Sequence, residues 1–220
     1  LLFVDIHSGQ IIDQIKIPRV DKLFMPIRDR DGSLLIGYTN WSNAGVLKYD
    51  LLTRKVIWRY KRNFEGPLLH CKIYVIEDKA YWCKNETELI CVDTSNGEER
   101  FRFRTAPWLY SDLYFYEDRI LFGTSGRDGF LYNIHADSGE LCWSTPMKNG
   151  CAYFDFCNDT VCAGDMTGKV WQIQIEDGRI RQEYQMDAPI IGRVTVDQGC
   201  LYTVAWCRDA APIRLIKIEL

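Results

Sequence analysis

Four stretches of this chain have residue types that could do chemistry. "GDMTGK" (Gly164–Lys169) carries the glycines and lysine of a phosphate-binding loop. It is one residue short, and it lies between strand-like runs with no helix behind it to offer an N-terminus to a phosphate. "GTSG" (Gly123–Gly126) misses the spacing of a nucleophile elbow and the strand-to-helix turn that exposes its serine. The paired carboxylates Glu77-Asp78 and Glu117-Asp118 could split acid and base roles. Both pairs stand between the first and second strand of a repeat, and recurrence at that interval reads as turn chemistry.

Metal and thiol chemistry fare no better. His7, His70 and His135 are the only histidines and fall in separate repeats, and no HExxH motif or EF-hand loop occurs. The nine cysteines are Cys71, Cys83, Cys91, Cys142, Cys151, Cys157, Cys162, Cys200 and Cys207. None forms a CxxC motif, and Cys157 with Cys162 has no matching second pair for zinc. Their number is odd and most sit in apolar runs such as "LICV" and "ELCW", so they read as free, small apolar side chains in a reducing cytoplasm. That compartment gives the three sequons, at Asn40, Asn85 and Asn158, nothing to do. The expectation is no catalytic residue, no cofactor and no metal.

The elements that would carry any site repeat. Turn positions Gly9, Arg54, Gly97, Gly139 and Gly178 are spaced by 45, 43, 42 and 39 residues. Four residues after each stand Asp13, Trp58, Phe101, Trp143 and Gln182. Such a period means propeller blades or helical repeats, and the strand-like text decides for blades. One period reads "CKIYVIED", "KAYWCKN", "ELICVDTSNG", "EERFRFRT"; the next reads "SDLYFYED", "RILFGTS", "GFLYNIHADSG", "ELCWSTP". These are short Val-, Ile- and aromatic-rich runs broken by turn residues, with no amphipathic helix among them. Glycine suits the hairpin between the third and outermost strands, and the aromatic after it should pack between neighbouring blades, where a large ring buries about 150–250 Å². Complete repeats cover about residues 21–188. Residues 1–18 hold only the last two strands of a repeat and 189–220 only the first three. We therefore expect a single all-β domain over 1–220, a β-propeller of four-stranded antiparallel blades, with five blades and a closing blade shared by both termini. A sixth blade is the alternative if residues precede "LLFVDIHSGQ", which lacks Met and begins inside a strand.

The turn signature resembles the repeat of the PQQ-like, or quinoprotein-like, β-propeller family, roughly Asp-x-x-Thr-Gly-Glu/Lys-x-x-Trp after a strand. Ser138, Gly139, Glu140 and Trp143 match it well, and Asp93, Gly97 and Phe101 match it loosely. Ser8 and Gly9 match the turn without the aromatic; Arg54 replaces the glycine, and Asp13 and Gln182 the aromatic. WD40 repeats need Gly-His and Trp-Asp pairs, which are absent, and an Asp-box has a different Gly-to-Trp interval. The quinone dehydrogenases of the family are longer and use a PQQ cofactor, a calcium ion and an adjacent-cysteine disulfide; this chain has no Cys-Cys pair. The resemblance instead implies relatives that act as scaffolds for other proteins.

The rest of the composition bounds the partners. The 220 residues are 47% hydrophobic and 26% charged, with a formal net charge of −3. That is ordinary for a globular chain and gives no reason to expect nucleic acid or an anionic membrane surface as partner. No apolar run approaches the roughly 18–20 residues that span a bilayer, and no basic-then-apolar leader is visible. Binding residues should then lie on inter-strand loops held by the blades. Trp41, Trp108 and Tyr110 stand in such loops, and Arg127 and Arg208 occupy matching loops of different blades. Trp, Tyr and Arg are the usual interface anchors. We therefore expect a monomeric, non-enzymatic protein-binding module; one concrete version is a bacterial immunity protein that caps a toxin. The alternative is a small-ligand sensor using the central channel, with Arg28, Lys72, Asp112, Asp155 and Arg193 converging from several first strands.

Overall fold

Runs of β-branched and aromatic residues, too short for helices and closed by tight turns, pair each with the next along the chain. The computed structural model describes residues 1–40, 43–63, 72–84, 87–106, 108–109, 111–190, 193–205 and 214–220. Among these, no helix occurs. The chain divides into two compact units, Leu1–Arg102 and Phe103–Leu220.

In the first unit, β1 (Leu2–Val4) and β2 (Ile11–Gln14) make a two-stranded sheet. The strands β3 (Lys22–Arg28), β4 (Leu34–Thr39), β5 (Asn43–Asp50) and β6 (Lys55–Asn63) make a four-stranded antiparallel sheet in chain order. A second such sheet follows from β7 (Ile73–Ile76), β8 (Lys79–Lys84), β9 (Glu88–Asp93) and β10 (Glu99–Arg104). The middle strands are apolar on both faces because both faces are covered. On one side of the β3–β6 sheet, Leu35 and Val46 join Ile73, Ala80, Trp82 and Ile90. On the other, Ile36, Tyr38, Leu47 and Tyr49 pack with Ile17 and take in Leu1 and Ile15.

The second unit holds β11 (Tyr114–Tyr116), β12 (Arg119–Gly123), β13 (Ser125–His135), β14 (Leu141–Cys157), β15 (Thr160–Asp165), β16 (Lys169–Gln174) and β17 (Ile180–Gln185). A three-stranded sheet of β18 (Thr195–Asp197), β19 (Cys200–Ala205) and β20 (Arg214–Glu219) follows. Here the structure departs from the sequence reading in one respect. "ELCWSTP" and "AYFDFCND" are separate strands of successive blades by their turn residues, yet β14 runs through both. Its first half pairs with β13 through Met147–Gly129 and Gly150–Ser125, its second with β15 from Cys151–Asp165 onward. The two four-stranded groups thus form one seven-stranded ladder. The carboxylate pairs Glu77-Asp78 and Glu117-Asp118 are two-residue turns, with Glu77 and Glu117 at φ 55° and 51°.

The repeated turn and aromatic meet as one joint. Trp143 of β14 lies against the turn after β16: its Nε1 donates to the Ile175 carbonyl at 2.8 Å, and a Cβ on Gly178 would fall 2.6 Å from its Cδ2. In the first unit Trp58 of β6 does the same to the turn after β9, donating to the Thr94 carbonyl at 3.0 Å over Gly97. The joint that lacks both the glycine and the aromatic is of another kind: Arg54, at φ 57°, pairs through Nη2 with Asp13 Oδ2 at 2.5 Å.

Candidate functional site

Of the five residues read as partner-binding, the structure places one in full. Trp41, Tyr110 and Arg208 lie outside the described residues. Arg127 is a backbone position of β13, and its side chain is likewise outside the description. Trp108 stands in the connection from β10 to β11, and that connection is clamped. The Trp108 carbonyl accepts the Ser125 N–H at 2.7 Å, Leu109 bridges to Thr124, and Ser111 Oγ accepts the Gly123 N–H at 2.6 Å. Leu109 turns inward, 6% exposed, and the Trp108 indole turns outward, 62% exposed. Adjacent residues on an extended backbone point to opposite sides, so burying Leu109 obliges Trp108 to face solvent.

Within the second unit three of the polar residues weighed for a ligand do gather. The Tyr114 hydroxyl feels Arg193, Asp112 and Asp155 together. Burial raises its pKa, Arg193 opposes that rise, and the two carboxylates add to it. Asp155 is also structural, accepting the Val196 N–H on Oδ2 at 2.8 Å and the Phe156 N–H on Oδ1 at 2.9 Å. Arg28 ends β3 and Lys72 precedes β7, both in the first unit.

A site the sequence reading missed lies in the first unit. An open groove of about 330 Å³ is lined by Asp29, Asp31, Lys48, Glu77, Asp78 and Thr94, among others. Lys48, in the middle of β5, is 4% exposed. Its Nζ donates to Asp29 at 2.7 Å, Asp31 at 2.8 Å and the Thr94 carbonyl at 3.0 Å. Burial pulls the lysine pKa down, but the bonds to Asp29 and Asp31 outweigh it and hold the ammonium above its ordinary value. The same bond, with help from Ser33, lowers Asp31 to about 2. A lysine with all three donors engaged is a staple, not a nucleophile. One polar residue inside the apolar run "GVLKYD" is the signal that could have found it.

Among the described residues no group of three or more His, Cys, Asp or Glu side chains is arranged to hold a metal ion. His135 Nδ1 faces Asp118 Oδ2 at 3.3 Å, and His70 is outside the description. Cys83, Cys91, Cys142, Cys157, Cys162 and Cys200 form no disulfide. Burial, with Cys157 beside it, pushes the Cys162 thiol up to about 12.

Comparison with known proteins bears on this architecture. Among curated proteins nothing matches the sequence. Residues 42–205 match the PQQ-repeat family model described as outer membrane protein assembly factor BamB. Of solved structures, BamB from Moraxella catarrhalis superposes with a TM-score of 0.57 at 18% identity, over 93% of this chain and 63% of that one. The computationally designed protein Ika8 gives 0.64 at 12% identity, over 96% of this chain and 63% of its own. The designed Ika4 gives 0.55 at 11%, over 71% of this chain and 96% of its own. The chain thus spans less than two thirds of the BamB and Ika8 chains, and at these identities the likeness is one of fold. The repeated strand–turn–aromatic joints and the family model over most of the sequence place the chain in the PQQ-repeat β-propeller family.

Proposed function

We propose that the chain is a non-enzymatic, protein-binding propeller. The observation that carries this reading is Trp108, a large aromatic held out in solvent by a loop whose backbone is fixed to β13. A rigid, exposed indole loses little conformational entropy on docking, which is why such residues anchor interfaces. The family model's name, an assembly factor, favours the same class. Toxin neutralisation is the narrower version, and the free thiols favour a reducing compartment such as the cytoplasm for it. The test is affinity capture with tagged protein from the native lysate, wild type beside Trp108→Ala. A near-stoichiometric protein lost in the variant, whose melting temperature is unchanged, upholds the reading; a toxin domain as that protein upholds the narrower version. Identical prey lists overturn it.

A small-ligand reading rests on a different observation, the gathering of Arg193, Asp112 and Asp155 about Tyr114. It requires ligand-dependent stabilisation in a metabolite extract that Arg193→Ala removes and Trp108→Ala leaves intact. A melting curve unmoved by the extract removes it.

A further inference from the structure

One connection between a first and a second strand breaks the repeat. β7–β8, β11–β12, β14–β15 and β18–β19 are each joined by two residues, whereas β3 and β4 are joined by five, Asp29–Ser33. The longer connection is held in one shape. The Asp29 N–H donates to the Ser33 carbonyl at 2.9 Å, Ser33 Oγ donates to Asp31, and Lys48 Nζ ties both aspartates to β5. The lysine goes with the length: in the β11–β14 group, with its two-residue turn, Asn133 stands across from Trp143 where Lys48 stands across from Trp58. Burying an ammonium is costly, and the two-residue turns close without one. Here it fixes a loop that the other sheets do not have.

That loop lines the open groove of about 330 Å³, together with the β7–β8 turn. Ile57 of β6 adds an apolar surface to the lining and is 50% exposed. Of the charges along the groove, Lys48 is taken up by Asp29 and Asp31, and Asp78 pairs with Arg100. Arg30 on the loop and Glu77 on the β7–β8 turn are not used in this way. Both are exposed, and neither side chain makes a hydrogen bond or ion pair among the described residues, with each other included. Two opposite charges that line one groove without meeting leave room for a group that pairs with both.

We infer that this groove docks a segment of a partner protein in which an aliphatic side chain is flanked by an acidic and a basic residue. The aliphatic side chain covers Ile57, the acid pairs with the Arg30 guanidinium and the base with the Glu77 carboxylate. A loop already fixed by Lys48 loses little freedom on docking. A segment with charges of one sign satisfies one of the two residues and is repelled by the other. The groove lies in the first unit and Trp108 in the second, so the inference is independent of the role given to Trp108.

The test titrates the whole ¹⁵N-labelled chain with two capped tripeptides of reversed order, acetyl-Lys-Leu-Glu amide and acetyl-Glu-Leu-Lys amide. Acetyl-Lys-Leu-Lys amide and acetyl-Gly-Leu-Gly amide are the controls. Saturable shifts of the Arg30, Ile57 and Glu77 backbone amides are expected with one order, and weaker binding of the other order and of both controls. Arg30→Glu and Glu77→Lys change exposed turn residues, so each should leave the melting temperature unmoved and lower the affinity about tenfold. The double variant, with the two charges exchanged, should prefer the reversed peptide. Ile57→Ser should weaken both orders alike. No saturable shift at these residues, equal affinity for the two orders or for acetyl-Gly-Leu-Gly amide, or an unchanged preference in the double variant overturns the assignment.

Discussion

Gly178 and Gly199 allow the tryptophan joint to be weighed by itself. Both lie in the second unit, in turns, at φ 74° and 72°. A methyl on Gly199 would meet nothing within 4 Å, whereas on Gly178 it would lie 2.6 Å from Trp143 Cδ2. Alanine in the left-handed region costs about 1–2 kcal/mol at either site. At Gly178 the indole must also retreat, and its 2.8 Å bond to the Ile175 carbonyl breaks. Trp143 is only 8% exposed, so the stranded N–H adds about 1–3 kcal/mol. The expected difference between Gly178→Ala and Gly199→Ala is about 2 kcal/mol, or roughly 8 °C in melting temperature for a unit of this size. Urea titration followed by tryptophan fluorescence reads it directly. Equal destabilisation by the two substitutions would refute the claim that this joint contributes beyond backbone conformation.

Lys48→Met should cost about 3–5 kcal/mol in urea unfolding, because it leaves the buried Asp29 carboxylate unpaired, and adding Asp29→Asn should recover more than half; a loss under about 1 kcal/mol defeats the staple. Asp31 has a lowered pKa, so its contribution is complete above its ordinary value of 3.8 and disappears as pH falls through about 2. Acid unfolding of wild type should therefore steepen across that window, and Lys48→Met should lack the step. Cys162, buried with its thiol raised to about 12, should stay unlabelled by iodoacetamide at pH 8 until the chain unfolds; native labelling at a free-cysteine rate contradicts its burial. The Asp13–Arg54 pair is partly exposed, so a double-mutant cycle should give under about 1 kcal/mol and fade in 1 M salt. Asp13→Trp with Arg54→Gly should couple more strongly, as the joint of the other copies; additivity of the two changes argues against it.

The fold was readable because each blade repeats one local problem. Gly97 and Gly178 mark turns that need positive φ, and Trp58 and Trp143 stand four residues beyond such turn positions to cover the next one. Strand order follows from the same turns. The continuous β14 was not readable: "PMKNG" has the proline, lysine and glycine of a loop, and only the ladder from Met147 to Gly150 shows it is extended. The site was less legible than the fold. Trp108 could be placed in a loop from its neighbours, but its exposure depends on the Leu109–Thr124 bridge, a contact no periodicity announces. Lys48 looked like one more strand residue because its partners come from a different turn and from the neighbouring sheet.

The copies that seemed degenerate are the more informative ones. A repeat constrains joints rather than residues: a tryptophan over a glycine and a carboxylate against an arginine both hold one turn to its neighbour. Replacing one member alone would strand a buried N–H or an unpaired charge, so Arg54 where glycine is expected makes sense only together with Asp13. The same argument applies to Lys48. Its ammonium requires Asp29 and Asp31, whereas Asn133 at the matching position donates to the Ile175 carbonyl. Among similar blades, such a replaced residue is where the chain departs from structural repetition, and the hydrogen bonds of the position change with it.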